Sequence, residues 1–210
     1  MLTMEYVTHS FRHAEAILGQ SELKPLLNEI LDVIKGINDA DLIMSFNSHT
    51  LPAMSLSRDV NELLKTGLQC KGWAVESAIF QNEEFEGKRW RLDFAKEKIS
   101  IEVAFNHGEA SAWNLLKPVL ASELNHVKKA VQTEIGVVIC ATAALKSAGG
   151  FDSAVGEYEK ILRYLDPLQD VLTAPILIIG LKAPETFQIK RTRVGTKTIG
   201  QVEMITDPSA

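Results

Sequence analysis

The chain has 210 residues, 46% hydrophobic and 23% charged, with 22 Lys and Arg against 27 Asp and Glu and a formal net charge of -5. This balance excludes a histone-like or polybasic protein, but leaves room for a nucleic-acid enzyme whose cations are gathered in one place. Two cysteines, Cys70 and Cys140, are too few for a disulfide scaffold.

No apolar run reaches the ~18 residues of a membrane span, and the amino terminus, with Glu5, His9 and Arg12, lacks a signal peptide's apolar stretch. A reduced, cytoplasmic protein with no membrane partner is expected. His9 and His13 stand a helical turn apart, but no third ligand accompanies them, so they read as a solvated helix face. The first helix is predicted from Ser21 to Ile37. Ser21 is its N-cap, Pro25 lies in the first turn, and Leu23, Leu26, Leu27, Ile30, Leu31 and Ile34 recur at helical spacing before Gly36. Leu42 to Met54 is mixed and polar, with Asn47, Ser48, His49 and Pro52, and reads as a loop. A second helix is predicted from Asp59 to Gln69, ended by Lys71-Gly72.

From Trp73 the hydrophobic period falls to two. Trp90, Leu92 and Phe94 alternate with polar residues. After Lys96-Glu97-Lys98, Ile99, Ile101, Val103 and Phe105 alternate with Ser100, Glu102 and Ala104. Two strands joined by a tight polar turn are expected. A helix over Ala112 to Val131, bent at Pro118, comes next, then an apolar strand over Gly136 to Thr142 in which Cys140 reads as a buried thiol. Ser153 caps a predicted helix that runs to Leu165, and a further apolar strand covers Pro175 to Leu181. The tail beyond Pro184, with Lys190, Arg191, Arg193, Gly195 and Gly200, reads as a basic hairpin. Continuous apolar strands flanked by helices imply an α/β or mixed α+β fold, a central mixed sheet covered on both faces. The chain is read as one domain: an N-terminal helical and loop region (1–57), a core (58–184) and the tail (185–210).

Chemistry concentrates on the hairpin. Asp93 and Glu102 fall on the polar positions of adjacent strands, facing away from the core. Two readings stay open. They are solvated hairpin carboxylates, or they converge on one divalent cation, for which Mg²⁺ suits an all-oxygen, partly hydrated site. Such an ion polarises a phosphodiester and activates water.

The segment Arg91-Leu92-Asp93-Phe94-Ala95-Lys96-Glu97-Lys98-Ile99-Ser100-Ile101-Glu102-Val103-Ala104-Phe105 resembles the active-site hairpin of the BglII/BstYI family of type II restriction endonucleases, of the form D-F-x-K-x-x-(I/V)-x-(I/V)-E-V-x-F. Asn61-Glu62-Leu63, Lys71-Gly72-Trp73 and Glu76-Ser77 before it, and Gly136 to Ile139, Gly150 to Glu159 and Ala174 to Gly180 after it, resemble the family's other elements in the same order, over roughly residues 58–184. The resemblance implies a PD-(D/E)xK fold and a Mg²⁺-dependent homodimer cutting double-stranded DNA at a palindromic site, one with a GATC-like core, to leave 5′-phosphate ends. The dimer interface is expected on helices, with Ala112 to Val131 the candidate. Asp93, Glu102 and the Val103 carbonyl would be the metal ligands.

Ala104 departs from the pattern: the family carries Gln, Glu or Lys at this catalytic position, and a methyl group neither binds a metal nor takes a proton. Three readings follow: an inactivating substitution, an enzyme that recruits another group, or a nuclease-like protein that only binds DNA. Recruited groups would be Glu62, His107 or Glu109. For DNA contact the candidates are Asn106 and His107 after the active-site strand, Ser153, and the basic groups Lys128-Lys129, Lys88-Arg89-Arg91 and Lys190-Arg191-Arg193. Each also has an ordinary reading, as turn, helix cap or solvated face.

Overall fold

The predicted hairpin lies within a six-stranded sheet. The structure, a computed structural model, describes residues 2–51, 53–85, 87–123 and 128–205. In chain order the elements are β1 (Tyr6–Phe11), α1 (Ala14–Leu18), α2 (Lys24–Gly36), α3 (Asp39–Ser48), α4 (Ser57–Cys70), β2 (Ala74–Ala78), β3 (Arg91–Lys96), β4 (Ile99–Ala104), α5 (Ser111–Ser122), β5 (Ile135–Ala141), α6 (Ala143–Ala148), α7 (Tyr158–Leu165), β6 (Ile176–Leu181), β7 (Phe187–Val194) and β8 (Lys197–Met204).

The sheet order is β1-β6-β5-β4-β3-β2, and β7-β8 form a separate antiparallel hairpin, as the tail's sequence suggests. β4, β5 and β6 run parallel, while β1, β2 and β3 pair antiparallel to their neighbours. Every residue of β5 (IGVVICA) and β6 (ILIIGL) is buried, which explains why these strands carry no polar alternation. One face of the sheet presents Ile99, Ile101, Val137, Ile139, Leu177 and Ile179 to the core built with α1 to α4. The other presents Ala104, Val138, Cys140, Ile176 and Ile178 to α5 and α7. The expected mixed α/β fold, a central mixed sheet flanked by helices, is therefore what forms, with Cys140 buried as anticipated.

Several boundaries move. Tyr6–Phe11 is an edge strand, so His9 lies in β1 and His13 in a turn with φ 61, and no helix face joins them. α2 starts at Lys24 with Leu23 before it, so Ser21 is not its N-cap. The polar stretch predicted as a loop contains most of α3. Asn38 caps that helix by accepting the Asp41 N–H at 3.0 Å, while Leu42 and Phe46 fill the core. Pro52, in the same stretch, lies outside the described residues. α5 ends at Ser122, and residues 124–127 of the longer predicted helix also lie outside them. Inside α5, Pro118 packs directly over Gly136 of β5, where any Cβ would collide with the proline ring. Among the described residues no helix is long and apolar enough to cross a membrane.

Candidate active site

The geometry of the site follows from where the hairpin ladder stops. β3 and β4 pair at Phe94↔Ile101, Ala95↔Ser100 and Lys96↔Ile99 around the Glu97 turn, where φ is 50. The next register position would set Asp93 against Glu102, and there main-chain pairing gives way to side chains. The Asp93 carboxylate accepts the Val103 N–H at 2.7 Å, and the Glu102 carboxylate accepts the Asp93 N–H at 3.4 Å. On its other side Asp93 stands opposite Glu76, which the β2–β3 register also skips (Val75↔Phe94, then Ser77↔Leu92). Glu76 has φ 53, a left-handed conformation costly for a residue with a Cβ, and Arg91 braces it by donating to its carbonyl at 2.8 Å. Three carboxylate-bearing positions thus align across three strands.

A cavity of about 240 Å³ opens beside them, lined by Asn61, Lys65, Val75, Glu76, Asp93, Phe94 and Val103. α4 supplies Asn61 and Lys65, four residues apart on one helical face. Burial is the main cause that raises the Asp93 carboxyl above its ordinary value. The Val103 N–H and the Lys117 charge pull it down, and Glu76 adds to the rise.

Glu102 is the more deeply buried of the two. Ser100, Glu102 and Ala104 form the row of β4 that α5 covers, and all three are buried, Glu102 to 1% exposure. Of the two readings, the solvated carboxylate therefore fails for Glu102: a second helical layer closes that face. Glu102 is paired there. Lys117 of α5, itself 8% exposed, donates from Nζ to Glu102 Oε2 at 2.6 Å. Burial first, and the Asp93 charge second, push the Glu102 carboxyl up to about 8, against the pull of Lys117. Lys117 escaped the sequence reading, although a signal existed: it is the single charged residue of Ser111–Ser122, SAWNLLKPVLAS.

The other candidates divide. Ala104 is 2% exposed and packs into the apolar cluster with Leu115 and Val119. Glu62 is exposed on α4 and ion-paired with Arg58 at 2.8 Å; it does not line the cavity, whereas its neighbours Asn61 and Lys65 do. Lys96 of the quoted motif is held away from the cavity by Glu29 at 2.8 Å. Asn106, His107 and Glu109 are exposed just beyond β4. Asn106 accepts from Asn114 at 3.0 Å, and His107 bridges to Val155 in backbone pairing. Ser153 is exposed but caps nothing, because α7 begins at Tyr158 after Glu157; its carbonyl accepts from Lys146.

Lys128 is exposed. Lys129 turns inward, with its ammonium on the Leu120 carbonyl and 4.5 Å from the Phe80 ring centre, so it is not the solvent-facing cation that was expected. In the tail hairpin Lys190 pairs with Glu203, and Arg191 donates to the Gly150 carbonyl. Among the described residues no three His, Cys, Asp or Glu side chains form a ready-made metal cluster.

Comparison with known proteins agrees with this fold. The chain is similar to a crystal structure of restriction endonuclease BglII complexed with a DNA 16-mer. The TM-score is 0.66 at 16% identity, over 96% of this chain and 100% of that one. For free BglII the TM-score is 0.54 at 17% identity, with the same coverage. No curated protein sequence matches. The family model "Restriction endonuclease BglII/BglIII" matches residues 6–181, most of the chain. The chain belongs to the BglII/BglIII restriction endonuclease family.

Proposed function

We propose that this protein is a type II restriction endonuclease that hydrolyses double-stranded DNA at a short palindromic site. In this reading it acts as a cytoplasmic homodimer whose two-fold axis matches that of its target. The observation that carries the reading is the pair Asp93 and Glu102, set side by side where the hairpin ladder opens next to a cleft. Their donor set fits a divalent cation: both carboxyls are raised by burial, Glu102 further by the Asp93 charge and Asp93 by that of Glu76, so each gains from a shared positive charge. Asp93, Glu102 and the Val103 carbonyl would hold Mg²⁺, which needs few protein ligands because it keeps waters. Bound there, the ion supplies Lewis acidity to the scissile phosphate and to an attacking water.

The chain's own groups do the positioning. The Val103 N–H fixes the plane of Asp93. Asn61 and Lys65 on the cleft wall offer a donor and a cation to phosphate oxygens. Asn106 and His107, exposed just beyond β4, would reach into a groove, and Ser153 and Lys128 are exposed enough to take part. In the reaction water's oxygen adds to phosphorus and its proton passes to solvent. The P–O3′ bond breaks, and the departing 3′-oxygen takes up a proton, leaving a 5′-phosphate and a 3′-hydroxyl.

A second reading is favoured by Ala104, whose buried methyl leaves no polar atom beside Glu102 on the strand: a DNA-binding protein that keeps the fold without cutting. Incubation of bacterial genomic DNA and plasmids with Mg²⁺ or Mn²⁺ separates the two. Discrete fragments support the endonuclease. Sequence-dependent binding without cleavage, unrelieved in Ala104→Gln or Ala104→Glu, overturns it.

A further inference from the structure

The Lys117–Glu102 pair asks for an explanation that packing alone does not provide. Lysine is seldom buried, and an ion pair withdrawn from water gives little net stability over an apolar pair of similar size. Yet α5 carries a single charge and delivers it to the buried face of β4, onto a carboxylate of the proposed hydrolytic pair. On that same face, two residues further along β4, Ala104 contributes only a methyl. The β3–β4 hairpin therefore brings the carboxylates to the site, while the ammonium beside Glu102 comes from the helix above.

We propose that Lys117 is a positioning residue of the hydrolytic site, supplying from α5 the polar group that β4 lacks at Ala104. An ammonium group has three N–H donors. One is committed to Glu102 Oε2, fixing the orientation of that carboxyl group. Among the described residues this is its one hydrogen bond, and in the proposed role the other N–H groups orient the attacking water and face the charge that develops on the phosphoryl oxygens. Lys117 neither gains nor loses a proton in this role. The proposal rests on the endonuclease reading above and deepens it, since it makes an enzyme with Ala104 chemically complete.

The test compares the unaltered protein with Lys117→Met, Lys117→Arg and the transplant Lys117→Met/Ala104→Lys. Three quantities are measured: single-turnover cleavage of bacterial genomic DNA in Mg²⁺, affinity for a cleaved plasmid fragment in Ca²⁺, and the urea midpoint. Lys117→Met is expected to lose at least about 100-fold in cleavage rate while DNA affinity stays within about threefold, the range for removing one preorganised donor. The transplant is expected to recover at least about tenfold over Lys117→Met, because it returns an ammonium to the same face from the strand. Lys117→Arg is expected between the two.

Cleavage by Lys117→Met within threefold of the unaltered protein overturns the proposal and leaves the endonuclease reading intact. So does a parallel loss of DNA affinity and rate, which marks a purely structural residue. Tighter Mg²⁺ binding by Lys117→Met in calorimetry, together with faster cleavage, also overturns it, since the ammonium would then be an internal rival to the cation. Failure of the unaltered protein to cut any DNA overturns this role, and the endonuclease reading falls with it where Ala104→Gln and Ala104→Glu also fail to cut. If Lys117→Met does not fold, a folded transplant that cuts supports the proposal, and a folded transplant that does not cut overturns it.

Discussion

Asp93 and Glu102 are the same chemical group on neighbouring strands, one register position beyond the last hairpin pair, yet they occupy opposite environments. Asp93 is half-buried, clamped by a main-chain N–H and open to a cleft beside Glu76, Asn61 and Lys65. Glu102 is 1% exposed, roofed by α5 and held by a buried lysine. One carboxylate faces the cavity and the other is enclosed by the protein. What separates them is the helical layer: α5 covers the Ser100–Glu102–Ala104 row and leaves the Asp93 side open.

The contrast can be broken most forcefully at the closed side. Glu102→Ala strands Lys117 as an unpaired buried cation, so a loss of about 3–5 kcal/mol in urea unfolding is expected. A loss under about 1 kcal/mol would mean that Lys117 escapes to water and the roof is loose. Acidity sharpens the same contrast. The Glu102 carboxyl is raised to about 8 from 4.5, so the folded chain keeps a proton that the unfolded chain has released between those values. Stability without metal should be fully present below pH 4.5 and fall as pH rises toward 8, by on the order of 1 kcal/mol per pH unit. Unfolding in EDTA at pH 5 and pH 8 reads the slope. Saturating Mg²⁺ should flatten it, because the ion takes the place of the proton.

At the open side the effects on the fold are smaller. Asp93→Asn keeps an oxygen for the Val103 N–H, so about 1 kcal/mol or less of stability should be lost, while Mg²⁺ binding by calorimetry disappears. An unchanged Mg²⁺ affinity would move the cation site away from this pair. Smallest of all, Glu62→Gln and Ser153→Ala are expected to shift unfolding by no more than about 0.5 kcal/mol. A tenfold drop in cleavage by Glu62→Gln would reinstate it as a recruited group.

What the sequence made legible follows the same divide. Alternation over Leu92–Phe94 and Ile99–Phe105 placed the hairpin, and unbroken apolar runs placed β5 and β6, because period-two burial and two-sided burial write themselves into residue order. The carboxylate pair was visible as a motif, but its asymmetry was not. Which face of β4 is roofed depends on α5 packing back over it. Lys117 meets Glu102 across 15 positions of chain, a contact no local period encodes. β1 was missed because an edge strand needs little apolar content; Thr8, His9 and Ser10 tolerate solvent there. α3 was missed because Asn47, Ser48 and His49 at its end masked the Asn38 cap and the Leu42 and Phe46 anchors.

The seat of Pro118 on Gly136 has a consequence for the chemistry one residue away. Pro118 follows Lys117 in α5, and Gly136 lies across from Ser100, in the β4 row that carries Glu102. The spacing between helix and sheet at this point is therefore set by a residue with no side chain and one with no amide proton. The reach of the lysine is machined by a steric gauge block, and a single methyl at position 136 would retune it without altering any charged or polar group of the site.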